Sequence, residues 1–300
     1  MSTKPLITAA NYNAIQTKIA SLLGPGSGPR GYGQSLVSSQ AAPGNEITAQ
    51  QWTNLRHDIA TVKLHQDGQE PSLITTSVGN LIRNINDSPV SQYSTTADQA
   101  DIARFAIAGN QATVTARGTE SYAQSWSQSV SKIVTVTFSS ATEARYFFNS
   151  GGKIRFTSSR TGGSATAQNN SWSVLLNTVG VFQFGAAIPA DVNFYTLTAD
   201  YQACLNVAAS GLYGIEGNFY KIEVKSNVSD NTQGGAWILT FRISWIDGYE
   251  DSFPDAPPPD QVDGTLALTV TELKASGSII PSGAFQIASP GYSFSPFTVQ

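Results

Sequence analysis

The hydrophobic periodicity of the chain changes near Val130, and this change constrains the fold more than any other feature. Before it, apolar residues recur at every third or fourth position, as on one face of an α-helix. After it, apolar residues alternate with polar ones and include many β-branched and aromatic types, which is typical of strands with one buried face. We therefore predict an α+β chain, in which a small N-terminal helical module precedes a β-rich domain like an antiparallel sandwich with short helices.

The helical part contains an internal repeat. Residues 7–12 are similar to residues 47–52, an offset of 40 positions, and the match continues along the apolar positions that follow. Thr8 and Thr48 are suitable N-cap residues, and Thr48 with Gln51 has the spacing of a capping box. Each copy therefore predicts one helix. The two predicted helices end at glycine-containing breaks, residues 24–26 and 67–71.

Each predicted helix carries an apolar stripe, for which two interpretations are open. The two stripes can pack on each other as the core of the helical module, which is the usual arrangement of amphipathic helices. Alternatively, because two short helices bury little area, the stripes dock into a partner subunit. The docking residues in that case are Tyr12, Ile15, Ile19, Trp52, Leu55 and Ile59.

The sequence predicts a division into three parts. A third apolar pattern, from Leu73 to Ile85, extends the helical module to a break at residues 86–89. The polar stretch around residues 92–109 is interpreted as part of a linker. The predicted parts are a helical docking module at 1–88, a linker at 89–129 and the β-rich domain at 130–300.

Alternation in the β-rich domain places its main elements. The predicted strands lie at residues 133–138, 153–157, 220–224, 237–245 and 266–270, and short helices at 142–148 and from about 170. Each strand has one apolar face that needs a facing sheet, which favours a sandwich. The order of the strands does not follow from the sequence.

Charged residues are scarce: they make up 13% of the chain, about half of the roughly 25% that is typical of soluble proteins. With 17 basic and 21 acidic residues, the chain lacks a positive footprint, so we expect neither nucleic acid nor a membrane surface as a partner. Cys204 is the single cysteine, which excludes a disulfide within the chain. The N-terminus has no apolar signal-like stretch, which predicts synthesis as a soluble protein in the cytoplasm.

The motifs that could indicate catalysis or cofactor binding lack the structural context that these functions require. Residues 26–31 match a dinucleotide-binding glycine pattern, but a predicted helix precedes them where a strand is required, and Pro29 removes an amide donor. His57 and His65 both lie in the helical part, far in sequence from Cys204. We therefore predict that the protein is not an enzyme, has no cofactor and has no catalytic residues.

One acidic stretch, residues 247–263, has the composition of a calcium-binding loop. Its acidic residues do not have the spacing of the twelve-residue calcium loop, and the prolines at 254 and 257–259 are typical of a stiff connector. We therefore predict no metal site.

Four segments carry a resemblance to known proteins: residues 30–34 (Arg-Gly-Tyr-Gly-Gln), 62–68, 141–156 and 257–278. They resemble segments of virion structural proteins of tailed bacteriophages, most closely those of contractile-tailed cyanophages. The four segments lie in both the predicted helical module and the predicted β-rich domain. It implies a non-enzymatic component of the tail, neck or fibre-attachment region, located in the virion and synthesised in the host cytoplasm.

The resemblance also implies partners. Other virion proteins are expected, together with self-association into a homo-oligomer, for which three-fold symmetry suits a fibre. One alternative is an adhesin that binds host-surface glycans with exposed aromatic side chains of the β-rich domain. Another alternative, a polysaccharide hydrolase, requires a pair of carboxylates in a cleft, and acidic residues are sparse outside the proline-flanked stretch.

Overall fold

The structure is a computed structural model of the chain. It describes residues 7–79, 88–186, 191–209, 217–248 and 261–299, and these ranges contain five α-helices and ten strands. The α+β class expected from the periodicity is confirmed, with helices at the N-terminus and antiparallel sheets after them. The chain divides into two compact units, called here the helical unit and the β-rich unit.

The helical unit is built from residues 1–113, 145–152 and 274–288. Its three long helices are α1 (Ala9–Leu23), α2 (Ala49–Asp67) and α3 (Ser88–Ile102). The N-cap predictions for the first two helices are confirmed. Thr8 and Thr48 each accept a hydrogen bond from the backbone N–H three residues later and take part in a capping box. α2 ends at Gly68, whose left-handed backbone (φ +78°) favours glycine.

The predicted linker, residues 89–129, is corrected by the structure because it contains α3 and the first strand, β1 (Ala112–Tyr122). α3 presents a buried stripe to α1 and α2, formed by Val90, Tyr93, Ala97 and Ala100. Three of these four side chains are small or aromatic with a polar tip, so the stripe did not stand out from its polar neighbours.

The third apolar pattern, predicted from Leu73 to Ile85, does not form the third helix of the module where the structure describes it. Residues 71–79 are irregular, with Leu73 buried and Val78 93% exposed. The rest of that pattern, at residues 80–87, lies outside the described residues. α3, which follows it, takes the place of the third helix.

The β-rich unit is built from residues 114–144, 153–273 and 289–300. It also contains the short helix α5 (Ala167–Val179) and the first residues of α4 (Ala141–Asn149), whose residues from 145 onward belong to the helical unit. The remaining strands are β2 (Ser129–Thr137), β3 (Lys153–Thr161), β4 (Val181–Phe184), β5 (Gln202–Ala208), β6 (Phe219–Ser226), β7 (Ile238–Ile246), β8 (Thr265–Ala275), β9 (Gly291–Phe294) and β10 (Thr298–Val299). One sheet has the order β1-β8-β3-β4, and the other has the order β10-β2-β7-β6-β5, with β9 also pairing with β2.

The two sheets enclose one apolar core. Along β7 the inward positions are fully buried, as the alternation predicted. Phe241 of β7 lies 4.8 Å from the ring of Phe156 on β3 and 5.3 Å from that of Phe184 on β4, so aromatic contacts join the two sheets. A hydrogen bond also joins the two sheets, from the hydroxyl of Ser158 on β3 to the hydroxyl oxygen of Tyr220 on β6.

The predicted boundary of the β-rich domain, residues 130–300, also needs correction. Residues 145–152, which end α4 and lead to β3, and residues 274–288 belong to the helical unit. Periodicity assigns a residue to a type of local structure but carries no information about which core a short connecting segment joins.

Candidate functional site

The six predicted docking residues all lie in the core of the helical unit. The exposed fractions of Tyr12, Ile15, Ile19, Trp52, Leu55 and Ile59 do not exceed 4%. The docking interpretation is therefore corrected in favour of the helix core, because α3 supplies the apolar partner that the two-helix interpretation left to another subunit. Trp52 shows this directly: its ring lies 5.3 Å from that of Tyr12 and 5.4 Å from that of Tyr93 on α3, both edge to face.

Three of the segments singled out in the sequence, around residues 30–34, 62–68 and 145–152, meet in the helical unit. The side-chain amide of Asn149 donates to the backbone oxygens of Gly28 and Gly31, both at 3.2 Å. Gly33 packs so closely against Tyr146 that a Cβ at this glycine would lie 2.3 Å from the ring. These contacts join the segment around residues 30–34 to the segment 145–152, more than one hundred residues later in the chain.

A second set of contacts joins the end of α2 to the same region. His65 is fully buried, and its Nε2 donates to the backbone oxygen of Ser150 at 3.0 Å. The imidazole stacks on the ring of Phe285 at 4.4 Å and lies 5.1 Å from the ring of Tyr32. The hydroxyl of Tyr32 donates to a backbone oxygen and accepts from the amide of Gln66. We call His65, Tyr32, Gln66, Ser150 and Phe285 the His65 cluster.

Burial determines the electrostatics of the His65 cluster. It lowers the pKa of His65 to about 4, although the hydrogen bond to Ser150 acts in the opposite direction. Burial also raises the pKa of Tyr32. At neutral pH the imidazole is therefore uncharged, and its Nδ1 has no hydrogen-bond partner among the described residues. A buried neutral histidine that stacks on aromatic rings is a core residue, with no access for a substrate.

The other candidate catalytic residues are separate from this cluster. The carboxylate of Asp58, next to the half-buried His57, accepts the backbone N–H groups of Val37 and Ser38 and fixes a loop. In the β-rich unit, the thiol of Cys204 donates to the backbone oxygen of Ile222. Burial raises the pKa of this thiol to about 12, which leaves almost no thiolate at neutral pH.

The glycine pattern at residues 26–31 lies in an irregular loop that follows α1. Gly26, Gly28 and Gly31 all have positive φ angles, which the tight turns of this loop require. The loop packs on residues 145–152 through Asn149, so its glycines allow close packing of the chain on itself.

The acidic stretch is only partly described, because residues 249–260 lie outside the described ranges. At its two ends, Asp247 accepts from the amide of Gln168, and Asp263 accepts from Arg160 and from the backbone of Ser164. Within the described ranges, no three His, Cys, Asp or Glu side chains are placed to hold a metal ion.

A buried carboxylate in the β-rich unit escaped the sequence analysis. Glu272 of β8 is fully buried on the inward face of its sheet. Both carboxylate oxygens contact the guanidinium of Arg117 on β1, at 2.9 and 3.0 Å, and they also accept the hydroxyls of Ser289 and Tyr292. Because its carboxylate is paired with Arg117 and accepts both hydroxyls, Glu272 fixes the C-terminal segment to the sheet. The only sequence signal is one charged residue at an inward position of an alternating strand.

The aromatic side chains required by an adhesin are mostly inside the β-rich unit. Trp126, Trp172 and Trp245 are at most 5% exposed, whereas Trp237 is 39% exposed. The ring of Tyr201 is covered by Arg242, whose guanidinium carbon lies 4.3 Å from the ring centre, and by Lys225 at 4.8 Å. Trp237 and Phe219, which is 37% exposed, are thus described aromatic side chains of this unit that are exposed enough to stack on a sugar.

The described residues form an α+β protein with a three-helix unit and a two-sheet unit. Among the helices that the structure describes, none is long and apolar enough to cross a membrane. Comparison with family models, with curated proteins and with solved structures finds no match for this chain.

Proposed function

We propose that the chain is a non-enzymatic structural component of a tailed-phage particle, assembling in the tail, neck or fibre region. The observation that supports this most is the meeting of resemblance-bearing segments in the helical unit. Residues 30–34, the end of α2 and residues 145–152 are distant in sequence but pack together through Asn149 and His65.

The chemistry of the chain suits such a role. The buried histidine and the single cysteine, His65 and Cys204, have pKa values shifted by burial, and neither lies beside a charged partner that would activate it. With 13% charged residues, contacts to other virion proteins and to further copies of this chain would form mainly by packing and neutral hydrogen bonds. Such contacts depend little on salt.

The test is the presence of the chain in purified particles. Virions of the phage that encodes it should be banded by density, washed at high salt and analysed by mass spectrometry, with a phage replication enzyme as the control for carry-over. We expect the chain in a fixed stoichiometry to the major tail proteins, and immunogold labelling at one position on the particle. Enrichment in the soluble lysate, with no more than the carry-over level in particles, would overturn the proposal.

A further inference from the structure

The free edges of the sheets in the β-rich unit differ in length and charge. Among the described residues, β4 and β10 end their sheets with four and two residues, and β1 carries Arg117 and Glu120. β5 spans seven residues, Gln202–Ala208, without a charged side chain or a proline. Edge strands are usually protected by shortness, charge or proline, because their unpaired N–H and C=O groups pair readily with another strand. β5 is therefore the least protected of these edges.

The inward-facing side chains of β5 are incompletely covered. Leu205 and Val207 are half-buried, although they lie opposite two buried residues of β6, Ile222 and Tyr220. A groove of about 430 Å³ runs beside them, with β4 and the C-terminal end of α5 as its other walls. Val181 of β4, on the opposite wall, is 43% exposed. Within the described part of the chain, the apolar interior of the sandwich thus opens to solvent along the β5 edge.

We propose that β5 pairs antiparallel with β5 of a second copy of the chain, so that two sheets join across a two-fold axis. The charge of the surface favours this occupant. The groove walls and both strands that border it are uncharged, so a charged partner strand would lose hydration there without gaining an ion pair. β5 is itself an uncharged strand with alternating apolar side chains and provides the matching chemistry.

The register follows from which residues share a face. Directly opposite residues in an antiparallel pair lie on the same face of the sheet. A two-fold axis at Asn206 places Leu205 of each copy opposite Val207 of the other, on the groove side, and Asn206 opposite its own counterpart on the exposed side. Two apolar pairs are then buried, and the two amides can bond to each other. This register uses the regular half of β5, beyond the irregularity between Ala203 and Leu205.

Pairing of β5 is a property of the isolated chain and does not depend on the proposed virion role. It can therefore fail while the chain is still found in particles, and the reverse also holds. An isologous contact of this kind produces dimers, which differ from the three-fold association expected of a fibre.

The test is the mass of the purified full-length chain by light scattering across a concentration series. We expect a dimer for the native chain and a shift to monomer for Asn206→Lys, which places two like charges directly opposite and should raise the dimer dissociation constant about fivefold or more. Asn45→Lys is the matched control, because it makes the same change at an exposed turn of the helical unit and should leave the dimer intact. A monomeric native chain, or an assembly that Asn206→Lys does not weaken, overturns the proposal.

Two further experiments keep the proposal testable if Asn206→Lys reduces folding. Mixing Asn206→Lys with Asn206→Asp should restore a dimer, since the opposite residues then attract. In a Cys204→Ser background, Asn206→Cys should give a covalent dimer with an oxidant or a short thiol crosslinker, whereas Asn45→Cys should not. Failure of both the mixture and the crosslink would contradict the two-fold register.

Discussion

The buried imidazole of His65 predicts that the helical unit loses stability in mildly acidic solution. The folded state holds the pKa of His65 at about 4, against about 6.5 in the unfolded chain. The neutral form is the one that fits between Phe285, Tyr32 and the carbonyl of Ser150. Below about pH 6.5 the unfolded state therefore binds a proton that the folded state does not, and folding becomes less favourable.

The size of the effect follows from the two pKa values. The stability that His65 retains in full above about pH 6.5 decreases as the pH falls and is lost near pH 4, a total of about 3 kcal/mol. At pH 4.5 the loss amounts to about 2.5 kcal/mol of that total. Because the imidazole is fully buried, screening by solvent does not reduce this value as it does for an exposed group.

Urea unfolding followed by far-ultraviolet circular dichroism between pH 7.5 and 4.5 measures the loss. Carboxylates also begin to titrate in this range, so the comparison is made with His65→Gln, which cannot be protonated. The substitution costs stability at pH 7.5 because it removes the ring that stacks on Phe285. The free-energy difference between the native chain and this variant should then shrink by about 2.5 kcal/mol at pH 4.5, since only the native chain carries the histidine penalty.

A difference between the native chain and His65→Gln that stays constant from pH 7.5 to 4.5 would refute this reasoning. It would mean that the imidazole is hydrated in the folded protein or that Nδ1 has an acceptor. His57→Gln is the control, because it removes the half-buried histidine on the same helix and leaves the His65 cluster intact.

Three further perturbations have defined outcomes. Gly33→Ala should lower the free energy of unfolding by more than about 2 kcal/mol in urea titrations, because φ is +69° and the new Cβ would meet the ring of Tyr146. Glu272→Ala should cost about 3 kcal/mol by the same measurement, because it leaves the guanidinium of Arg117 without its carboxylate. Cys204 should react with a thiol reagent at pH 8 far more slowly in the native chain than in urea, because a pKa of about 12 lowers the thiolate fraction about a thousandfold.

The two substitutions have matched control variants, and the labelling of Cys204 is compared with that of the unfolded chain. Gly44 also has a positive φ angle, but a Cβ there would lie in open space, so Gly44→Ala should lower the free energy of unfolding by only about 1 kcal/mol. If both substitutions lowered it equally, the contact with Tyr146 would not be the cause of the loss at Gly33. Asp98→Ala removes an exposed ion pair with Lys18 and should cost less than about 1 kcal/mol. Equal labelling rates for Cys204 in native and unfolded chains would contradict its burial.

Local signals in the sequence predicted the elements well. Capping residues and glycine breaks located α1 and α2, because a cap satisfies the free backbone groups at a helix end within a few residues of the chain. Alternation located β2, β3, β6, β7 and β8, because successive side chains of a strand point to opposite faces. α3 was missed, since its stripe of Val90, Tyr93, Ala97 and Ala100 has little apolar bulk.

The candidate sites were less accessible to sequence reasoning. The apolar stripes of α1 and α2 were recognised, but whether they face a partner subunit or the chain's own core depended on the unrecognised α3. His65 carried no local mark of its burial, and Glu272 had only its inward position in an alternating strand, because the groups that stack on or pair with them, such as Phe285 and Arg117, are distant in the chain.

The sequence by itself determined the class of the fold, the first two helices, most strands and the low surface charge, all of which depend on neighbours within a few residues or on composition. Only the tertiary structure decided which segments share a core: residues 145–152 and 274–288 join the helical unit, and β5 is the last strand of its sheet among the described residues. The physical reason is that burial, pairing and edge position depend on contacts between residues far apart in sequence, and hydrophobic periodicity reports only on neighbouring residues.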